Sequence, residues 1–150
     1  LNAADFTMNI APSSPENFSG RYVLTSAREE IDRAEKSLLS AIEQRQYDRS
    51  SVFAIRLALE EALTNAFKHG NKGDPNKTVR LHYDVRTDEV TIDVIDEGSG
   101  FDPGAVPDPT ESENLEIPSG RGLTLMRAYM TEVQILPPGN RVMMKYVKPG

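Results

Sequence analysis

Between Leu57 and Asn71 the chain reads LALEEALTNAFKHGN. Ile55, Ala58, Leu59, Ala62, Leu63, Ala66 and Phe67 recur at helical spacing, so this stretch is a helix with one face committed to a core. The same helix carries Glu61 and Asn65 four residues apart, which places both side chains on one face. Glu60 is turned about 100° away from that face. A helix that must bury one side while displaying a carboxylate and an amide on another leaves few folds open. It requires a second layer to pack on and a polar site beside it.

The remaining elements follow from pattern. Phe6 to Ile10 alternates apolar and polar and is predicted as a short strand; Ala11 to Gly20, with two prolines, three serines and a glycine, is predicted as a loop. Ser26 to Gln46 has helical periodicity through Ala27, Ile31, Ala34, Leu38, Leu39, Ala41 and Ile42. Asp48, Ser50 or Ser51 is placed to cap the next helix, which runs to about Lys68 and ends at Gly70 and Gly73. Thr78 to Val85 and Glu89 to Ile95 alternate as two strands, joined by a connection short enough for a hairpin. Phe101 to Ser119 has four prolines, five acidic residues and no period. Its length exceeds the roughly 12–15 residues of an ordinary connector and marks it as functional or disordered. Gly120 to Met130 resumes helical spacing, and Glu132 to Leu136 and Arg141 to Val147 are strands joined by Pro137-Pro138-Gly139-Asn140. The layout is α+β: a two-layer sandwich with helices on one face of a mainly antiparallel mixed sheet, one domain over residues 1–150.

Composition narrows the function. At 150 residues the chain is long enough for a real core, and 27% charged residues suit a soluble globular protein. A net charge of -6 opposes binding to a nucleic-acid backbone, though not to a single nucleotide held in a local site. There are no cysteines, which removes disulfides and thiolate zinc sites, and two histidines, His69 and His82, are too few for a metal cluster. No apolar run approaches the ~20 residues of a membrane span, and the start lacks the pattern of a signal peptide, so the expected location is cytoplasmic. The first residue is Leu1 rather than an initiator Met, which reads as a processing boundary.

Three stretches carry candidate chemistry. Asp96-Glu97-Gly98-Ser99-Gly100 ends an apolar strand with a carboxylate and two alternating glycines, which allow a sharp turn and close approach of a ligand. A carboxylate there can accept a hydrogen bond from an exocyclic amine such as that of adenine; the alternative is an ordinary Asp/Gly turn. Ser119-Gly120-Arg121-Gly122-Leu123 feeds a helix N-terminus, whose free N–H groups and positive dipole end suit phosphate, with Arg121 as a permanent cation. The alternative is a capped helix start. It is neither a Walker A loop nor a dinucleotide-binding GxGxxG. In the opening helix, Asn65 offers a neutral oxygen for a hard cation such as Mg²⁺, and Glu61 is placed to take a proton from a water or hydroxyl attacking a γ-phosphate. The alternative is a solvated helical face with a local Asn hydrogen bond. Lys68 and His69, one turn on, can reach phosphates or complement the helix dipole.

The order of these parts resembles the histidine-kinase-like (GHKL) ATPase superfamily: the stretches look like its N, G1 and G2 boxes, from about Asp48 to Lys145. More narrowly, EEALTNAFKHGN, DEGSGFDP and GRGLTLMRAYMTEV are similar to the RsbW-type anti-sigma-factor serine/threonine kinases. The resemblance implies ATP and Mg²⁺ as cofactors, with Asn65 holding the metal and Glu61 as general base. It implies that Asp96 reads the adenine amine, that Gly98 and Gly100 line adenine and ribose, and that Gly120 and Gly122, with Arg121 and Leu123 between and after them, meet the phosphates. Residues 101–119 become an ATP lid. The implied function is phosphorylation of a small antagonist protein and sequestration of a sigma factor or similar partner, with a homodimer allowed. Two other functions fit the same motifs: an ATP-dependent protein-binding switch without useful kinase activity, and the detached catalytic domain of a sensor histidine kinase or larger multidomain regulator. Against the last, the first helix has no histidine. Two departures stand out. The last hairpin, Gly139-Asn140-Arg141-Val142-Met143, lacks the threonine that in such proteins supports the adenine-binding aspartate through water, and the lid is Pro-rich and acidic.

Overall fold

A computed structural model describes residues 18–99 and 120–150, with the side chains at 120 and 121 excepted. The expected strand at Phe6 to Ile10, Gly100, the lid at 101–119 and the side chain of Arg121 lie outside the described residues.

The elements in chain order are β1 (Phe18–Leu24), α1 (Arg28–Gln44), α2 (Arg49–Thr64), a π-helical turn (Asn65–Gly70), β2 (Val79–Val85), β3 (Glu89–Ile95), α3 (Gly120–Tyr129), β4 (Glu132–Leu136) and β5 (Arg141–Val147). The five strands form one sheet in the order β1-β2-β3-β5-β4, and every pairing among them is antiparallel. The inserted position of β5 is what matters for the site. The chain leaves the sheet after β3, returns through α3 to the far edge at β4, and folds back so that β5 lies beside β3.

Strands β2 and β3 bury alternate residues under the helices. Val79, Leu81, Tyr83 and Val85 of β2 and Val90, Ile92 and Val94 of β3 are buried, as period-two patterning requires. Ala34, Leu38, Ala41 and Ile42 of α1 and Ile55, Ala58, Leu59, Ala62 and Leu63 of α2 pack on them. Truncating a fully buried leucine such as Leu59 to alanine would cost about 2–5 kcal/mol.

Helix ends have local causes. The Asp48 carboxylate accepts the Ser51 amide at 2.8 Å and starts α2. Ser51 is itself fully buried, with its hydroxyl 2.7 Å from that of Tyr146. α1 stops at Gln44 rather than Gln46 because Gln46 turns left-handed at φ 63°.

The strand β1 corrects the loop expected through Gly20. Its residues 18–20 look like loop because Ser19 and Gly20 have poor strand propensity. Gly20 lies opposite Tyr83 in the β1–β2 register, and a Cβ there would fall 2.5 Å from the Tyr83 ring. The ring covers the glycine, so its lack of a side chain is what lets Tyr83 lie across the edge strand.

Candidate functional site

The helix that displays Glu61 and Asn65 changes pitch at Asn65. The Asn65 amide still bonds back to the Glu61 and Ala62 carbonyls, so the two side chains share a face. Beyond it the turn widens: the Asn71 amide reaches the Ala66 carbonyl at 2.8 Å and the Gly73 amide reaches that of Phe67 at 2.9 Å. A single π-helical turn inside an α-helix is a costly local irregularity that recurs at functional sites. Here it corrects the uniform α-helix expected as far as Lys68. It carries Lys68, which is exposed, and His69, which is half-buried and whose Nδ1 has no hydrogen-bond partner among the described residues.

The two adjacent glutamates face different neighbours. Glu60 accepts from Arg56 Nε at 3.3 Å and lines a groove of about 380 Å³ with Glu35 of α1. Glu61 faces α3. A Cβ built on Gly122 would lie 3.3 Å from Glu61 Oε1 and 3.2 Å from Asn65 Nδ2. The start of α3 therefore closes directly on the polar pair, and Gly122 leaves the space between them open. Among the described residues neither Glu61 nor Asn65 has a side-chain hydrogen bond or ion pair. The side chain of Leu123 is buried in the core, so what it presents to a ligand is main chain.

Asp96, at the end of β3, sits on the other side of the π-helical turn. A Cβ on Gly70 would run into the Asp96 carboxylate, and one on Gly98 would collide with the Gly70 carbonyl while lying 2.9 Å from Asp96 Oδ1. The two glycines are thus the condition for Asp96 to nest against the end of the α2 stretch. Asp96 Oδ1 accepts the Gly98 amide at 2.7 Å. Burial pushes the Asp96 carboxyl above its ordinary range, with the Gly98 amide and Lys77 acting in the opposite direction.

The backbone around Asp96 is held by side chains that motif reading does not single out. Asn71 is 1% exposed; its Oδ1 accepts the Glu97 amide at 2.8 Å and its Nδ2 donates to the Thr78 carbonyl at 3.0 Å. Glu97 Oε2 in turn accepts from the Thr78 amide at 2.5 Å and hydroxyl at 2.8 Å. From β5, Asn140 Nδ2 donates to the Asp96 carbonyl at 3.0 Å, and its own carbonyl accepts the Asp96 amide at 2.9 Å. Next to it Arg141 grips Asp93 with two nitrogens, Nε at 2.9 Å and Nη2 at 2.6 Å. In the sequence Asn71 looks like an ordinary loop asparagine just past Gly70.

The structure thus brings Glu61, Asn65 and Gly122 together, and separately Asp96, Gly98 and Gly70, with Lys68 and His69 on the turn between. No group of three or more His, Asp or Glu side chains able to hold a metal ion occurs among the described residues, and no described helix is long and apolar enough to cross a membrane.

Fold and cluster define a class: an α/β sandwich with its polar site at the seam between the helix layer and the sheet end. Residues 24–146 match the model of the histidine kinase-like ATPase domain. The serine-protein kinase RsbW of Bacillus subtilis is 29% identical over 141 residues, covering 89% of this chain and 79% of that protein. The RsbW of Bacillus licheniformis is 30% identical over 140 residues with the same coverage. An anti-sigma F factor of Clostridium beijerinckii is 33% identical over 84 residues, and the match spans 58% of its length. Among solved structures, one of the RsbU and RsbW domains of a Mycobacterium tuberculosis protein superposes with a TM-score of 0.59 at 17% identity, over 87% of this chain and 31% of that one. The chain belongs to the histidine kinase-like ATPase domain family, and within it groups with the RsbW-type anti-sigma-factor kinases.

Proposed function

We propose that this chain binds ATP at the seam and transfers its γ-phosphoryl group to a serine or threonine of a small antagonist protein. In the same reading it sequesters a sigma factor or similar partner from the cytoplasm, acting as one domain over residues 1–150 and open to homodimerisation. The names of the relatives, an anti-sigma F factor and serine-protein kinases, support the class of reaction and partner. The observation that carries the chemistry is the convergence of Glu61, Asn65 and Gly122, which sets an uncommitted carboxylate and amide against the N-terminal turn of α3.

The roles follow from position. Asp96 accepts the adenine amine with the carboxylate oxygen not engaged by Gly98, while Gly98 and Gly100 leave room for the base and ribose. The N-terminal amides of α3, at Gly120 through Leu123, face the phosphates, Lys68 and Arg121 supply the surrounding positive charge, and His69 lies one turn beyond Asn65 to reach a phosphate. The Asn65 amide oxygen is a neutral ligand suited to Mg²⁺, and the space beside it that a Cβ on Gly122 would fill suits an ion completed by phosphate and water. When bound, Mg²⁺ supplies charge neutralisation across the phosphates. Glu61 takes the proton from the acceptor hydroxyl as its oxygen forms the new bond to the γ-phosphorus; the bond to the β-phosphate oxygen breaks and ADP leaves with the electron pair. In this reading residues 101–119 are the ATP lid.

The test is phosphotransfer by Glu61→Ala to a cognate antagonist. We expect a loss of about 10²–10⁴-fold in rate with ATP affinity retained. Intact phosphotransfer would sink the proposed base. A wild type that transfers no phosphate, with partner binding spared by Glu61→Ala but lost together with nucleotide binding in Asp96→Asn, would favour the switch without kinase activity.

A further inference from the structure

The peptide unit between Asp96 and Glu97 is gripped on both sides by side-chain amides from two different parts of the fold. Its carbonyl accepts Asn140 Nδ2 at 3.0 Å, from the turn before β5. Its N–H donates to Asn71 Oδ1 at 2.8 Å, from the residue that closes the π-helical turn. Asn71 is fully buried, and its other amide atom is committed to the Thr78 carbonyl at 3.0 Å. That pairing fixes which way round the amide sits, because the reverse would set an NH₂ against the Glu97 N–H. The next bond along the chain is the one Asp96 makes with its own carboxylate, Oδ1 to the Gly98 amide at 2.7 Å. With the 96–97 peptide plane held at one end and the Gly98 amide at the other, the carboxylate has little freedom to rotate. Its second oxygen keeps a fixed direction beside Gly70.

We infer that Asn71 and Asn140 form a two-amide clamp that orients the Asp96 carboxylate, and that they are positioning residues for recognition of the base. Neither touches the nucleotide; both act through the main chain of Asp96 and Glu97. A hydrogen bond to an exocyclic amine depends steeply on direction, so a carboxylate free to swing would lose discrimination between an amino and an oxo group before it lost the fold. Asn71 also links the turn bearing Lys68 and His69 to the strand bearing Asp96, so the clamp ties the two ends of the site together. The inference rests on the proposal that Asp96 reads the adenine amine.

The test measures the affinities of the full chain for ATP and for ITP, which carries an oxo group where ATP has the amine. Wild type is expected to prefer ATP, and Asp96→Asn to erase the preference. Asn140→Ala, at a half-buried turn, is expected to keep the fold and reduce the ATP-to-ITP ratio by about tenfold, the worth of one well-placed hydrogen bond. Asn71→Ala should do the same, and Asn71→Asp, which keeps the acceptor for Glu97, should retain more of the preference. Should the Asn71 variants fail to fold, Asn140→Ala decides alone. ATP and ITP affinities that fall in parallel in Asn140→Ala, or do not change, overturn the clamp. If instead wild type shows no preference, or Asp96→Asn leaves it intact, the reading of Asp96 fails first and the clamp with it.

Discussion

The two ends of the site are built differently. At the Asp96 end, the Gly98 amide, two asparagine side chains, a threonine and a glutamate lock together the end of the π-helical turn and the chain next to β2, β3 and β5. At the Glu61 end, two half-buried polar side chains face the first turn of α3 with no hydrogen bond or ion pair of their own among the described residues. Rigid groups suit the reading of an invariant feature such as a base edge. Uncommitted polar groups suit an ion and a proton that come and go, since a carboxylate already paired would make a poor base. The first end is fixed by what it binds to within the protein, the second by what it leaves unbound.

Glycine substitutions separate the ends most sharply. Gly98→Ala drives a methyl group into the backbone of Gly70, which cannot yield cheaply. A cost of about 1–3 kcal/mol is expected, measured by calorimetry as ATP binding roughly tenfold to hundredfold weaker. Gly122→Ala meets only the far ends of Glu61 and Asn65, at 3.3 and 3.2 Å. Those side chains can move aside, and alanine favours the helix by up to about 1 kcal/mol. Thermal stability should therefore hold or rise, with phosphotransfer slowed about tenfold or more because the displaced groups are those that act. The same profile for both variants would break the comparison.

Smaller effects come from the Asp96 carboxyl. Because burial raises its pKa above the ordinary 3.8, ATP affinity should begin to fall at a higher pH on acidification than an exposed aspartate would allow. Titration of ATP binding across pH checks this, and Asp96→Asn should lose the dependence. The free protein responds in the opposite sense. A carboxyl whose pKa is raised on folding stabilises the fold below its unfolded pKa, and that contribution is lost as pH rises through the folded value. At neutral pH Asp96→Asn should thus stabilise the nucleotide-free protein, seen as a small rise in Tm. A drop in Tm would show that Asp96 holds the fold together rather than burdening it.

Much of this molecule is legible in its residues. The core faces of α1 and α2 and the alternation of β2, β3, β4 and β5 are carried by apolar spacing, a local property that a single segment displays. Glu61, Asn65, Asp96, Gly98 and Gly122 stand in short motifs whose residue types match their chemistry. Three features were not legible, for one reason. β1 is a strand because Tyr83 lies over Gly20. The widened turn at Asn65 differs from α-helix by a fraction of a residue per turn, too little for periodicity to register. Asn71 and Asn140 look like loop asparagines, and their partners stand 26 and 44 residues away.

The sequence by itself determined most of the helices and strands and the side-chain types offered to the proposed nucleotide site, because propensity, periodicity and functional-group type are local. The tertiary structure decided that Glu61 rather than Glu60 faces α3, that Gly70 makes room for Asp96, and that two distant asparagines hold the Asp96 peptide. Those are contacts across the layers, and they exist only once β5 has been laid beside β3 and α3 against α2.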